Sequence, residues 1–125
     1  MAGGREADWE ASCLMQEGKY YYLFVNNGLC CKGLNSTYYI VVGRSENPLG
    51  PFLDKEGKDL KAGGGTVLLR SQGRFLGPGH LGLLRENHQS TTSIHYYDAN
   101  DEGKSKLGFI KLRFKKGWPI ATILE

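Results

Sequence analysis

An all-β fold is predicted by three observations. Glycine takes 18 of 125 positions, about twice the usual share of roughly 7%. It concentrates between apolar runs, at Gly28, Gly33, Gly50, Gly63 to Gly65, Gly77 and Gly79. No stretch sustains the apolar period of about 3.6 residues that marks an amphipathic helix. The apolar runs are instead short, rich in aromatic and β-branched residues, and bounded by turn-forming residues. The chain is long enough for one ordinary domain and its core.

The first strand is expected at residues 10–15. As a regular strand it sets Trp9, Ala11, Cys13 and Met15 on one apolar face and Glu10, Ser12, Leu14 and Gln16 on the other. A carboxylate beside such a stripe is costly unless it is paired or kept protonated for a purpose. Residues 20–26 and 37–44 follow, apolar or aromatic on both faces and so expected to be covered on both sides. A weaker piece at 51–54 completes the first set, and 66–70 bridges to a second. That second set holds 80–85, 93–98, 107–114 and 120–124. In 107–114, Ile110, Leu112 and Phe114 alternate with Lys111, Arg113 and Lys115, which marks a strand with one wet face.

The two sets share a plan. Each opens with a short strand, continues into an aromatic one, crosses a polar loop, and meets a Gly/Pro turn with an aromatic: Gly50-Pro51-Phe52 and Gly117-Trp118-Pro119. Repeated four-stranded units with such punctuation are the cue for a β-propeller. A sandwich of short strands fits the same signals. Glu10 and His80 open their sets at equivalent places, 70 residues apart (80 − 10). Two blades do not close a ring of about four to eight. On the propeller reading the chain is therefore a fragment or part of an oligomer.

Charge and hydropathy exclude some classes. Sixteen basic residues against 13 acidic leave a net charge of +3, scattered and without the clustered stripe of a nucleic-acid groove. No apolar run reaches the roughly 18 residues of a membrane span. Residues 1–8 read as a disordered or linker remnant and lack the apolar core of a secretory signal. Either the protein stays inside the cell or its true N-terminus is missing. The cysteines, Cys13, Cys30 and Cys31, have no metal-ligand spacing. A bridge between the neighbours Cys30 and Cys31 is expected to be strained, so thiols are expected.

Ten motifs then follow in order: Trp9-Glu10-Ala11, Tyr20-Tyr21-Tyr22-Leu23-Phe24-Val25, Cys30-Cys31-Lys32-Gly33, Ser36-Thr37-Tyr38, Val42-Gly43-Arg44-Ser45, Gly50-Pro51-Phe52, Gly63-Gly64-Gly65-Thr66, Gly77-Pro78-Gly79-His80, His95-Tyr96-Tyr97-Asp98 and Gly117-Trp118-Pro119. This series resembles the C-terminal half of a family 43 glycoside hydrolase, of the arabinan endo-1,5-α-L-arabinosidase (endo-arabinanase) type. The resemblance runs over nearly the whole chain.

The resemblance implies a partial five-bladed β-propeller over residues 9–125, about two to two and a half blades of four-stranded antiparallel sheet. It implies an inverting hydrolase with its active site at one mouth of the central channel, built on two aspartates and a glutamate. Glu10 matches the general acid, which the family carries in a Glu-Ala-Pro motif; here Ser12 replaces the proline. His80 matches a histidine near the propeller axis that helps hold a metal, usually calcium. Calcium prefers oxygen ligands, so one imidazole is a minor partner among waters. The two aspartates, the general base among them, belong to N-terminal blades absent from this chain, which is therefore expected to be inactive alone.

The implied partner is arabinan or a related pentose polysaccharide, with no nucleic acid and no membrane. The missing N-terminal half, or self-association, would close the propeller. The parent protein is implied to be secreted or periplasmic. Rival readings are a non-catalytic carbohydrate-binding propeller fragment and a structural remnant that folds with a partner half.

Other candidates read as structural. His95-Tyr96-Tyr97-Asp98 looks like a strand leaving the core and ending in a turn, so neither Asp98 nor Asp101 is taken for the missing base. Tyr20 to Tyr22 belong to a packed central strand. The loop 26–36 is a candidate substrate wall with no residue assigned. Gly63-Gly64-Gly65-Thr66 lacks the lysine and helix of a phosphate loop and reads as a turn.

Overall fold

The computed structural model describes residues 9–125; the expectation for residues 1–8 lies outside the described residues. Strands β1 (Glu10–Glu17), β2 (Tyr20–Asn27), β3 (Tyr39–Ser45) and β4 (Thr66–Leu69) form one four-stranded antiparallel sheet in chain order. Strands β5 (Phe75–Glu86), β6 (Gln89–Asp98), β7 (Lys104–Lys115) and β8 (Trp118–Leu124) form a second of the same plan. The fold is all-β. Turn chemistry closes the hairpins: Asn87 and His88 both take left-handed backbone between β5 and β6, as a two-residue type I′ turn requires. Among the described residues no helix is long and apolar enough to cross a membrane.

One apolar core joins the sheets. Met15, Tyr22, Phe24, Ile40, Val42 and Leu69 meet Leu81, Ile94, Ile110 and Trp118. Each such side chain contributes about 1.5–3 kcal/mol when fully buried. On the far face of the first sheet, Leu23, Val25 and Val41 are covered by Phe52 and Leu60 from the β3–β4 connection. Both faces of β2 and β3 are thus covered, and β7 exposes Lys111, Arg113 and Lys115. Away from the core centre, the Arg44 guanidinium lies between the rings of Tyr20 and Trp118, at 4.0 and 4.4 Å. Arg44 and the Tyr22 hydroxyl both donate to the Gly117 carbonyl, at 2.8 and 2.6 Å, tying β2 and β3 to the β7–β8 turn.

Three expectations are corrected. The fourth strand of the first sheet is Thr66–Leu69; residues 51–54 contribute only bridges at Leu53, to Arg44 and Asp59. The Asp54 carboxylate accepts the N–H groups of Glu56, Lys58 and Gly65, which bends this segment into a turn. Burial alone would raise the Asp54 pKa, but these bonds win and lower it. Secondly, β5 begins at Phe75, so His80 lies within a strand instead of opening one. Thirdly, Cys30 and Cys31 are disulfide-bonded, and Cys13 alone is free. Cys31 takes left-handed backbone (φ 68°) in a loop pinned at Leu29–Thr37 and Lys32–Ser36, and there the adjacent sulfurs meet.

Asp98 is fully buried at 0% exposure. It accepts from Arg74 and from Lys106 (2.7 Å), and caps the 3-10 turn Ala99–Asp101 by accepting from the Asn100 N–H. The Arg74 and Lys106 hydrogen bonds hold its carboxyl well below the usual carboxylate range. Such a group stabilises the fold above its unfolded pKa of roughly 3.9 and loses that contribution as pH falls towards the depressed folded value. Asp98→Asn is therefore expected to be less stable than wild type at neutral pH in urea melts, with the gap narrowing as the solution is acidified. A gap that does not change with pH would rule out carboxylate pairing as its source.

Candidate functional site

A one-residue bulge decides where Glu10 points. Glu10 pairs with Asn26, and the next paired residue of β1, Cys13, pairs with Phe24, so β1 carries one residue more than β2 across this interval. Ala11 takes left-handed backbone there (φ 54°). An extra residue inverts the in–out alternation of a strand. Trp9 accordingly packs with the far-face cluster, while Cys13 and Met15 face the second sheet. Cross-strand partners share a face, so Glu10 lies on the Asn26 and Phe24 side. The expected apolar stripe of Trp9, Ala11, Cys13 and Met15 is corrected: it is split by the bulge. Glu10 is itself exposed and carries no burial cost.

The same device recurs in β5. Gly79 pairs with His95 and Gly82 with Ser93, again with one extra residue, and His80 takes left-handed backbone (φ 53°). The two ladders align at an offset of 69 residues (79 − 10, 82 − 13). The counterpart of Glu10 is therefore Gly79, and that of His80 is Ala11, one rung from the expected equivalence.

Asn26 joins the two bulges. It is 1% exposed. Its Nδ2 donates to the Tyr39 carbonyl (2.8 Å) and across the sheet interface to the Pro78 carbonyl (3.3 Å), while its Oδ1 accepts the His80 N–H (2.8 Å). Gly79 permits this approach, because a β-carbon there would run into the Tyr38 ring and the Asn26 amide. Gly77 likewise packs against Ser36 and the Tyr97 ring.

Around this core lie Tyr38, His95 and Tyr97. Tyr38 is 3% exposed, and its pKa is pushed up first by burial, then by the neighbouring Glu10 carboxylate, with Tyr97 adding less. The phenol therefore stays protonated beside Glu10. The Tyr97 hydroxyl accepts the Cys31 N–H at 2.7 Å, and its ring stands edge-on to His95 at 4.7 Å. Burial, then the nearby His80, lowers the His95 pKa. The loop 26–36, with its disulfide, is thus anchored beside this group.

Sequence reasoning named Glu10 and His80 as candidates and did not name Asn26, Tyr38 and Tyr97 as parts of their surroundings. A buried Asn ending an aromatic strand was the available signal for the first. Asp98 and Asp101 are bound to Arg74, Lys104 and Lys106 and serve the fold, as expected. Two open grooves, of about 780 and 930 Å³, are lined by neither Glu10 nor His80. For calcium, no three His, Cys, Asp or Glu side chains gather to hold a metal among the described residues. The described residues form no oxygen cage of the kind calcium takes.

No protein-family model matches the chain. It is 40% identical over 114 residues to an extracellular exo-α-(1→5)-L-arabinofuranosidase of Cellvibrio japonicus, covering 90% of this chain and 33% of that protein. It is 44% identical over 110 residues to an extracellular endo-α-(1→5)-L-arabinanase of Bacillus subtilis, covering 88% and 33%. Among solved structures, the family 43 endo-arabinanase of Bacillus licheniformis is 44% identical with a TM-score of 0.82, over 90% of this chain and 38% of that one. The chain spans about a third of the length of the curated relatives it matches.

Gly79→Ala tests the packing of the site. Overfilling a packed region costs about 1–3 kcal/mol, and a loss of at least that size is expected in urea melts. A loss under about 0.5 kcal/mol, the scale of ordinary surface substitutions, would overturn the close approach of Tyr38 and Asn26.

Proposed function

We propose, from the premise that this chain is related over about nine-tenths of its length to a third of the family 43 arabinanases, that it forms one side of the active site of an extracellular α-1,5-arabinan hydrolase. On this reading its two sheets are two blades of a five-bladed propeller, and β1 and β5, each at one edge of its sheet, face the channel. Glu10 is the general acid that protonates the departing sugar oxygen. The general base comes from the remainder of the protein. Inversion needs the two carboxyl groups about 6.5–9.5 Å apart, leaving room for the attacking water. The observation that carries the reading is the bulge at Ala11, which turns Glu10 onto the face shared with Asn26 and the β5 bulge.

Calcium enters this proposal through His80 alone. The imidazole is exposed on a backbone held by Asn26, so it can serve as a single protein ligand, with water completing the coordination. Bound calcium would add positive charge near the channel. The chain's own part is to hold that one donor in place.

The acid is tested in a chimera in which residues 9–125 replace the matching third of the Bacillus subtilis relative. Glu10→Gln is expected to lower kcat on linear arabinan by about 10²–10⁴-fold, and less on an arabinoside with a good leaving group, which needs little protonation. Equal rates for the two chimeras would remove Glu10 as the acid; binding of arabinan without turnover in the parent chimera would favour the carbohydrate-binding reading. The metal is tested separately. A ligand that binds only the folded form raises Tm, so calcium is expected to raise the Tm of the chain and His80→Ala to abolish the rise. The same rise in both proteins would take His80 out of the metal site.

A further inference from the structure

We propose that Asn26 is the positioning residue of this site: by holding the backbone of His80 from the strand that pairs with Glu10, it sets the separation between the His80 imidazole and the Glu10 carboxyl. The inference rests on the assignment of Glu10 and His80 above. Asn26 is the cross-strand partner of Glu10, and facing residues in such a pair have Cα atoms about 4.5–5.5 Å apart. Its amide reaches across to the other sheet and meets β5 at two points on either side of Gly79, the Pro78 carbonyl and the His80 N–H, one in each of the two bulged intervals of that strand. The residue whose backbone pairs with the acid thus grips, through its side-chain amide, the backbone of the metal-site candidate.

Its hydrogen bonds are specific to an amide. The Nδ2 atom gives both of its protons, to Tyr39 and Pro78, and the Oδ1 atom takes one from His80. A carboxylate at this position keeps the acceptor and loses both donors; an aliphatic side chain loses all three bonds. Left-handed backbone is uncommon for a residue with a β-carbon, and Asn26 Oδ1 accepts the N–H of His80 in that conformation. Gly79 beside it leaves room for the amide. A core residue serving packing alone has no need of a donor pair and an acceptor aimed at two different sheets.

The test reads His80 directly. In the unmodified chain the His80 N–H is expected to exchange slowly with solvent although its side chain is exposed; fast exchange would overturn the clamp. In Asn26→Asp, the His80 and Gly79 amide resonances are expected to move at neutral pH while those of Leu23 and Val41 stay in place, and to return towards their native positions as the new carboxyl is protonated and regains a donor. In the chimera, Asn26→Asp is expected to lower kcat by about 10²-fold, the effect of displacing a reacting group by about 1 Å, with KM within about twofold. A uniform shift of all core resonances, or a fall in kcat that only tracks lost folded protein, would reduce Asn26 to a packing residue and overturn the proposal. Turnover that survives Glu10→Gln would retire the acid and leave the His80 exchange result standing. Fast His80 exchange would retire the clamp and leave Glu10 untouched.

Discussion

Two sheets share a single apolar interface, and any polar group placed inside it must find its partners there, because an unsatisfied buried amide costs about 1–3 kcal/mol. Asn26 meets that condition with three hydrogen bonds, two of them reaching from one sheet to the other. Its partners fix the rest of the site. The Pro78 carbonyl and the His80 N–H are presented by a strand that has left its regular register, and Gly79 is the residue that allows the approach. Tyr38 fills the remaining space and keeps its phenol protonated next to Glu10. The arrangement is held by few atoms, each already committed.

Much of the strand plan was legible in the sequence because burial writes a period into it. The two-sided apolar runs at Tyr22 to Val25 and Ile40 to Val42 lie in covered strands, and the alternation from Ile110 to Lys115 is the alternation of β7. Two of the errors, the face of Trp9 and the place of His80, have one physical origin. Period-2 reasoning assumes that no residue is inserted, and the first strand of each sheet carries at least one insertion. The face assigned to Trp9 therefore came out reversed, and His80 was matched to Glu10 one rung too far along. The strand at 66–70 was expected but its place in the first sheet was given to 51–54 for another reason: Phe52 and Leu53 are apolar, but Asp54 collects three backbone N–H groups and turns the chain away. The Cys30–Cys31 bond depends on a local left-handed turn that composition does not announce.

Bulges concentrate at sheet edges and beside active sites because they redirect one side chain at little cost to the neighbouring ladder. Here the bulges at Ala11 and His80 occupy the same rung of two repeated sheets and both place a residue with a β-carbon in left-handed backbone. They carry different side chains. In the first, the residue before the left-handed position is Glu10; in the second it is Gly79. This difference follows from the packing between the sheets. Asn26 and Tyr38 of the first sheet occupy the space into which a side chain at position 79 would project. The second bulge cannot carry a carboxylate at that rung without expelling the two residues that hold it.

On the proposed reading, the asymmetry explains why two repeats supply one acid and not two. Inverting hydrolysis needs unlike carboxyl groups, one protonated and one not, on opposite sides of the scissile bond. Two adjacent repeats each presenting a glutamate at the same rung would place like groups side by side and raise the pKa of one against the other. A glycine at the second rung removes that conflict. It also frees the second strand for another task, which His80 fills one position later, where its backbone is gripped from the first sheet. The acid and the imidazole are then not independent insertions on two blades. They are the two outputs of one interface, with Asn26 between them, and a change that loosens the contact between the sheets should disturb both together.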